Sequence, residues 1–337
     1  MREPGFWYGP PSLLSWLLRP VAAIYGAVAA RRMARPGVRA GVPVICVGNY
    51  HLGGAGKTPV TLALAQMLRA MGEGPMVVSR GYGGSLEGPV EVDARRHMAT
   101  EVGDEPLMMA ERVQVVVARD RAAGAMLARE LGASVVLLDD GLQNPALVKD
   151  VTLAVVDGAR ALGNGRIFPA GPLRAPLPPQ LACTDALIVI GTGHAADELA
   201  RTAAARGALV LRAAFVADPQ AVERLQGRQV LAFAGIGDPQ RFFATLRAQN
   251  IDVVETKTFA DHHAYAPYEI KDLRARAAAR NLTLVTTEKD MARIASEPRL
   301  SRHRAEVVPF KVALRIENET ALRALLTDRL AAAQHSG

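Results

Sequence analysis

The segment "VPVICVGNYHLGGAGKTPVTLALAQMLRAMG", residues 42–72, limits what this chain can fold into more than any other. An apolar, β-branched run reads as a buried strand. A glycine-rich turn follows, and Lys57-Thr58 open a helical pattern. Strand, glycine loop and helix in this order make a phosphate cradle. Glycines let backbone N–H groups turn inward around anionic oxygens, and the helix N-terminus adds positive potential. The cradle would comprise Gly53, Gly54, Ala55, Gly56, Lys57, Thr58 and Pro59. Lys57 would reach the β- and γ-phosphates of ATP, and Thr58 would hold Mg2+. Pro59 falls in the first helical turn, where a missing N–H costs little. The strict pattern G-x-x-x-x-G-K-[ST] wants glycine at 51, where this chain has His51. The closer match is the GG-x-GK-T variant, in which a lysine often stands where this chain has Leu52.

Buried-strand runs and helical segments then alternate: "PMVVS", "VQVVVA", "SVVLLDD", "VTLAVVD" and "DALIVIG". Alternation of this kind predicts a parallel sheet with helices on both faces, carrying its ligands at the C-terminal strand ends. A second series starts near residue 208 and includes "ALVLRAAF", "QVLAFAGIG", "IDVVETKTF", "LTLVTTEKD" and "AEVVPFKV". The expected organisation is an N-terminal segment over 1–40, a P-loop α/β/α lobe over 41–215, and a smaller α/β lobe over 216–330 that closes over a cleft.

Half of the 337 residues are hydrophobic, enough for a large core, and the formal net charge of +7 favours an anionic partner. Aromatics are few and not interleaved with basic residues, which argues against nucleic acid. Cys46 and Cys183 are too far apart in sequence to suggest a disulfide framework or a zinc site. Cys46 reads as a small core residue. From 1 to 41 there are six arginines and one acid. Apolar stretches Leu13–Leu18 and Val21–Ala30 are interrupted by Arg19-Pro20, too short for a membrane span. The expectation is an amphipathic helix, kinked or broken at Pro20, in the interface of an anionic membrane, with Trp16 and Tyr25 at headgroup level and Arg31, Arg32 and Arg35 facing lipid phosphate. An ordinary domain-capping helix would have the same composition.

A P-loop protein needs an acidic strand end for its metal, and "SVVLLDDGLQN" supplies Asp139 and Asp140, with Gln143 close behind. Asp139 is the better metal candidate. In "EVGDEPLMMA", Asp104 and Glu105 precede an apolar helix, where acids cap helices but where one could also accept a proton from an attacking hydroxyl. "FADHHAYAP" places Asp261 beside His262 and His263, either a polar loop or a positioned imidazole.

Taken in order, "VGNYHLGGAGKTPV", "SRGYGG", "VGDEP", "DDGLQ", "DGARALGNGRIFPAGPLRAPL", "AGIGDPQRFF", "ADHH" and "TTEKD" resemble the landmarks of the tetraacyldisaccharide 4'-kinase family, from about Leu13 to about Val312. The resemblance implies transfer of the ATP γ-phosphate to the 4'-hydroxyl of an acylated disaccharide 1-phosphate, giving lipid IVA, at the cytoplasmic face of a bacterial inner membrane. It implies that Lys57 and Thr58 serve phosphate and Mg2+, and that Asp104 and His262 form the family's Asp–His catalytic pair, with His263 the less favoured histidine. Asp104 would take the proton, oriented or assisted by His262. Asp139 and Gln143 match metal positions, with Asp140, Glu105 and Asp261 around them. Arg80 and Arg174 fall in family motifs and would meet substrate or nucleotide phosphate. "TTEKD" reads as near the site, without an assigned role. The competing expectation is a regulatory P-loop ATPase of the metallochaperone or partitioning type, for which Asp104 and His262 would be dispensable.

Overall fold

Continuous Val/Ile/Leu runs become central strands because both of their faces are buried. The computed structural model describes residues 4–10 and 12–334. Its strands are β1 Val44–Gly48, β2 Pro75–Ser79, β3 Val90–Glu91, β4 Gln114–Val117, β5 Val135–Asp139, β6 Val151–Asp157, β7 Ala186–Ile190, β8 Leu209–Ala217, β9 Gln229–Ala234, β10 Asp252–Thr258, β11 Thr283–Thr287, β12 Val307–Phe310 and β13 Val312–Ile316. Nine of them form one sheet in the order β13-β8-β7-β6-β1-β5-β2-β4-β3, and four form a second in the order β10-β9-β11-β12. The large sheet is parallel except at its edges, where β3 and β13 run antiparallel to β4 and β8.

Alternate residues of one strand feed two cores. Ile45 and Val47 join the helix Lys57–Ala70 on one face, while Val44 and Cys46 join the helix Arg121–Glu130 on the other. Cys46 is fully buried, and burial pushes its thiol up to about 12, which makes it inert packing. The β1–β5–β6 centre places the ends of three strands beside the phosphate loop, where a parallel sheet carries its ligand.

Two parts of the expected organisation are corrected. The second lobe does not run to 330. "AEVVPFKV" divides at Lys311: β12 completes the small sheet, and β13 returns to cover the β8 edge of the large one. The helix Glu319–Gln334 then buries Leu322, Leu326 and Leu330 in the same core as Leu64 of the phosphate-loop helix. Its apolar i, i+4 stripe needs a partner, and an uncovered β8 would be an open edge. Likewise β8, read as the start of the second series, belongs to the first sheet. The chain therefore crosses between lobes twice, near Asp218 and Lys311, and the Asp218 N–H donates to the Lys311 carbonyl at 3.0 Å.

The N-terminal segment is broken where expected. Helices Leu13–Leu17 and Arg19–Met33 meet at Leu18, with Pro20 in the first turn of the second. Small residues Ser15, Ala22 and Gly26 face the protein, and a Cβ at Gly26 would lie 2.7 Å from Ile167 Cδ1, so the Ile167 side chain would have to shift for a larger residue. Leu13, Leu17, Ile24 and Val28 point outward, at 63–78% exposure. Among the described residues no helix is long and apolar enough to cross a membrane.

Candidate active site

The phosphate loop is built around two left-handed glycines. Gly53 has φ 102° and Gly56, the N-cap of the helix Lys57–Ala70, has φ 86°. A Cβ on Gly56 would also lie 2.8 Å from Ile190 Cδ1, so only glycine fits there. The loop is held from below by the Asn49 amide, which donates to the Gly53 carbonyl at 3.2 Å. Ala55 and Thr58 are buried, and Gly54 borders open space. His51 packs inside with its Nδ1 donating to the Leu52 carbonyl at 2.9 Å, and burial lowers its basicity.

Lys57 Nζ stands 3.7 Å from Asp140 Oδ1. Arg174 closes the other side, donating to Asp140 Oδ2 at 3.1 Å and to the His51 carbonyl at 3.0 Å. Burial works to raise the Asp140 carboxyl, but the Lys57 and Arg174 charges prevail and hold it below the usual range. Asp139 goes the other way. Burial, then the charges of Glu105 and Asp140, push it up to about 7. Thr61 Oγ1 donates to its Oδ1 at 3.4 Å, and buried Arg121 donates to its carbonyl at 3.1 Å. A carboxylate buried among other acids gains most from a cation. Among the described residues no cluster of three or more His, Cys, Asp or Glu could hold a metal by itself. The Gln143 amide Nε2 donates to the Asn49 carbonyl and to Gln180 Oε1, both at 2.7 Å, and its Oε1 is the atom a metal would take.

The acceptor side is assembled from both lobes. Gly103 (φ 91°, ψ 151°) delivers the chain into the helix Asp104–Ala110. Asp104 is 5% exposed. As an acid in the first turn of that helix it sits where negative charge is favoured, its Oδ1 accepting from the Glu105 N–H at 3.0 Å. It also accepts from His262 Nδ1 at 3.0 Å (Oδ2) and 3.2 Å (Oδ1). Since both Asp104 oxygens accept, Nδ1 carries the proton and Nε2 is left as the basic ring nitrogen, 3.8 Å from Asp261 Oδ2. His262 has φ 57°, and the Tyr82 ring packs edge-on at 5.7 Å. His263 is structural: it stacks on Phe259 at 4.8 Å and its Nε2 meets Glu269 Oε2 at 2.8 Å.

Three residues to which the sequence reading assigned no role complete the site, two of them within "TTEKD". Arg293 donates from Nε and Nη2 to Asp104 Oδ2 at 2.9 and 2.5 Å. Lys289 Nζ donates to Glu105 Oε1 at 2.6 Å, and its charge, with burial opposing, holds that carboxyl below the usual range. Fully buried Asp290 anchors Arg293 Nη1 at 2.7 Å. All three come from "TTEKD" and the helix Glu288–Ser296 that it opens. The signal was present as charged residues opening a helix directly after a buried strand. Lys57 lies close enough to Glu105 for its charge to act on that carboxyl, so phosphate loop and acceptor pair share one cluster. Arg80 is exposed at the end of β2, next to Gly81, which packs under Gly103.

Gly103→Ala tests this scaffold. The new Cβ would lie 2.7 Å from the Tyr82 carbonyl in a backbone region that L-residues rarely adopt. Expected is a loss of about 1–3 kcal/mol in urea denaturation, with lowered kcat, because Asp104 and Tyr82 both shift. Unchanged stability would refute the strained junction.

A sequence profile described as Tetraacyldisaccharide-1-P 4'-kinase matches residues 14–331. Tetraacyldisaccharide 4'-kinase of Nitrobacter hamburgensis is 60% identical over 334 residues, covering 99% of this chain and 100% of that protein. The protein of the same name from Afipia carboxidovorans is 61% identical over 336 residues, covering 100% and 99%. A crystal structure of LpxK from Aquifex aeolicus in complex with ATP superposes with a TM-score of 0.74 at 26% identity, covering 94% of this chain and 100% of that one. With the phosphate loop, the acidic strand end and the two-lobed architecture in place over that whole length, the chain belongs to the tetraacyldisaccharide-1-P 4'-kinase family.

Proposed function

We propose that this kinase transfers the γ-phosphoryl group of ATP directly to the 4'-hydroxyl of an acylated disaccharide 1-phosphate, through an Asp104–His262 pair that accepts the hydroxyl proton. The observation that carries this reading is the contact between Asp104 of the first lobe and His262 of the second, beside the cluster that contains Lys57. A regulatory ATPase needs no such acceptor machinery. Lys57 and the loop N–H groups hold the β- and γ-phosphates and neutralise charge that spreads over the transferring group. Lys57 is drawn from Asp140 when phosphate arrives, and Arg174 remains to balance that carboxylate. Thr58 and Asp139 would hold Mg2+, which would supply further charge neutralisation. Gln143, already engaged by Asn49 and Gln180, steadies the β1 end beside them. Arg80, exposed at the rim, and Arg174 offer cations to the acceptor's phosphate. Asp261 sits beside His262 Nε2 and stabilises the imidazolium that forms.

The test is incubation with γ-labelled ATP and detergent-dispersed tetraacyldisaccharide 1-phosphate. Label is expected in the lipid, with inorganic phosphate a minor product. Label released only as inorganic phosphate by a folded sample would overturn the kinase reading in favour of hydrolysis.

The outward apolar face of the N-terminal helices, with Arg19 over the Trp16 ring at 4.3 Å, fits peripheral seating on an anionic bilayer, the cytoplasmic leaflet of the inner membrane. The acyl chains then stay in lipid while the sugar enters the cleft. Replacing Leu17 and Ile24 together by Glu should cut co-sedimentation with vesicles containing anionic lipid by about 10-fold or more, since each buried apolar side chain contributes about 1.5–3 kcal/mol. Activity on detergent-dispersed substrate should persist. Unchanged co-sedimentation would rule out this face.

A further inference from the structure

Arg293 belongs to the second lobe yet grips the first. Its Nε and Nη2 both donate to Asp104 Oδ2, while its Nη1 donates to the Gly235 carbonyl at 2.9 Å and to Asp290 Oδ1 at 2.7 Å. The Arg293 side chain is 7% exposed and Asp290 is fully buried. Asp290 is itself fixed by the Gly235 N–H, the Tyr265 hydroxyl at 2.9 Å and Thr287 Oγ1 at 2.7 Å. The planar fork therefore has no freedom to turn, and Asp104 has none either.

A clamp between lobes does not need this address. On the other side of the cleft, Arg241 holds Asp157 at 2.7 Å and Arg160 holds Asp238 at 3.1 Å, both in partly exposed positions. Those pairs tie the lobes together without touching the proton-accepting pair. Arg293 instead binds the same oxygen that accepts from His262 Nδ1. We propose that Arg293 is a positioning residue for phosphoryl transfer: held by Asp290, it fixes the carboxylate that orients His262, so that the imidazole Nε2 meets the acceptor hydroxyl when the lobes are in register. This rests on the reading of Asp104 and His262 as the proton-accepting pair. In the step it serves, the acceptor oxygen forms its bond to the γ-phosphorus. The bond from that phosphorus to the β–γ bridging oxygen breaks, the electron pair leaves on ADP, and the hydroxyl proton passes to Nε2.

The electrostatics give the proposal a reading that a packing role would lack. Asp104 faces His262 and Asp261 from one loop, Arg293 and Lys289 from the helix Glu288–Ser296, and Glu105 on its own helix. Behind Arg293 stand Asp290 and Tyr265. Burial alone would raise the Asp104 carboxyl, but the His262 hydrogen bond and the Lys289 and Arg293 charges hold it well below the usual range. Asp104 is thus ionised from pH 5 upward, so an acidic limb of activity above that pH reports a group other than Asp104. Without the guanidinium, the Asp104 charge acts on His262 with less competition. The imidazolium is then favoured, and the limb moves to higher pH.

The experiment compares kcat against pH from 5 to 9 for the full-length enzyme, Arg293→Met, Arg293→Lys and Asp104→Asn, with detergent-dispersed lipid and saturating ATP. Thermal melts and binding of a non-hydrolysable ATP analogue accompany it. For Arg293→Met the expected result is a kcat loss of about 30-fold or more, an acidic limb shifted up by about one pH unit, and a KM for ATP within about twofold of wild type. Arg293→Lys keeps the charge and loses the fork, so its limb returns to within a few tenths of a unit while kcat stays reduced. A lowered kcat with an unshifted limb in Arg293→Met would make the residue merely structural, and a wild-type kcat would remove it from the step. If Arg293→Met fails to fold, Arg293→Lys decides: wild-type kcat there overturns the proposal. Asp104→Asn with near-normal kcat would instead sink the underlying pair, whereas an inactive Asp104→Asn beside a fully active Arg293→Met would sink this proposal alone.

Discussion

Asp104→Asn should lower kcat for lipid phosphorylation by about 100-fold or more while leaving binding of an ATP analogue nearly intact. The change preserves shape and removes charge. Asp104 holds His262 by Nδ1 and so sets the tautomer that leaves Nε2 basic. A neutral amide can present its NH2 to that nitrogen and stabilise the opposite tautomer, and it cannot balance an imidazolium once the proton arrives. Among the described residues, the groups that hydrogen-bond the Asp104 carboxylate are the Glu105 N–H, His262 and Arg293, none of them in the phosphate loop. Nucleotide affinity is therefore expected to stay within a few-fold of wild type. Steady-state transfer from γ-labelled ATP, with fluorescence titration of the analogue, checks both halves. An Asn variant that turns over at wild-type rate would dismiss the pair from the chemistry, and one that lost analogue binding would point to a folding defect.

Asp290→Ala should be the most damaging single change to stability, costing about 3–5 kcal/mol. Asp290 is fully buried and accepts from the Gly235 N–H, the Tyr265 hydroxyl, Thr287 Oγ1 and Arg293 Nη1. Burial, followed by the nearby Asp290 charge and hydrogen bond, drives the Tyr265 hydroxyl well above its ordinary range, so it remains a donor at any working pH. Alanine would leave three neutral donors short of a partner and a buried guanidinium balanced from one side by Asp104. The helix cap itself would survive, because the residue 290 N–H that donates to Thr287 Oγ1 is main chain. Urea denaturation followed by a probe in the second lobe measures the loss. A change below about 1 kcal/mol would show that water or rearranged side chains replace the carboxylate. Asp290→Asn, which keeps two acceptor lone pairs, should cost less.

The large sheet was legible because its evidence is local. Each buried strand is a short β-branched run bounded by turn residues, and the phosphate loop is a contiguous string whose glycines are required by the backbone path at Gly53 and Gly56. The return of β13 was not legible. "AEVVPFKV" reads as one strand, and nothing within it says that Lys311 divides it between two sheets. Which exposed edge it covers depends on where β8 lies, a contact across almost 100 residues. The N-terminal helices were legible as an apolar segment broken at Pro20, but which of their residues pack inward, Ser15, Ala22 and Gly26, depends on contacts distant in sequence, such as Gly26 against Ile167.

Residue types and their order along the chain determined the chemistry available: a glycine cradle with Lys57 and Thr58, acids at the end of β5, and an Asp and a His far apart in sequence. Those features follow from covalent order and backbone sterics, which act over a few residues. Tertiary structure decided how that chemistry is arranged. It opposed the ionisation of Asp139 to that of Asp140, chose His262 over His263, engaged Gln143 in a hydrogen-bond network, and brought Arg293 across the cleft to Asp104. Proton affinity depends on burial and on charges within a few ångströms, and those distances exist only after the two lobes have packed.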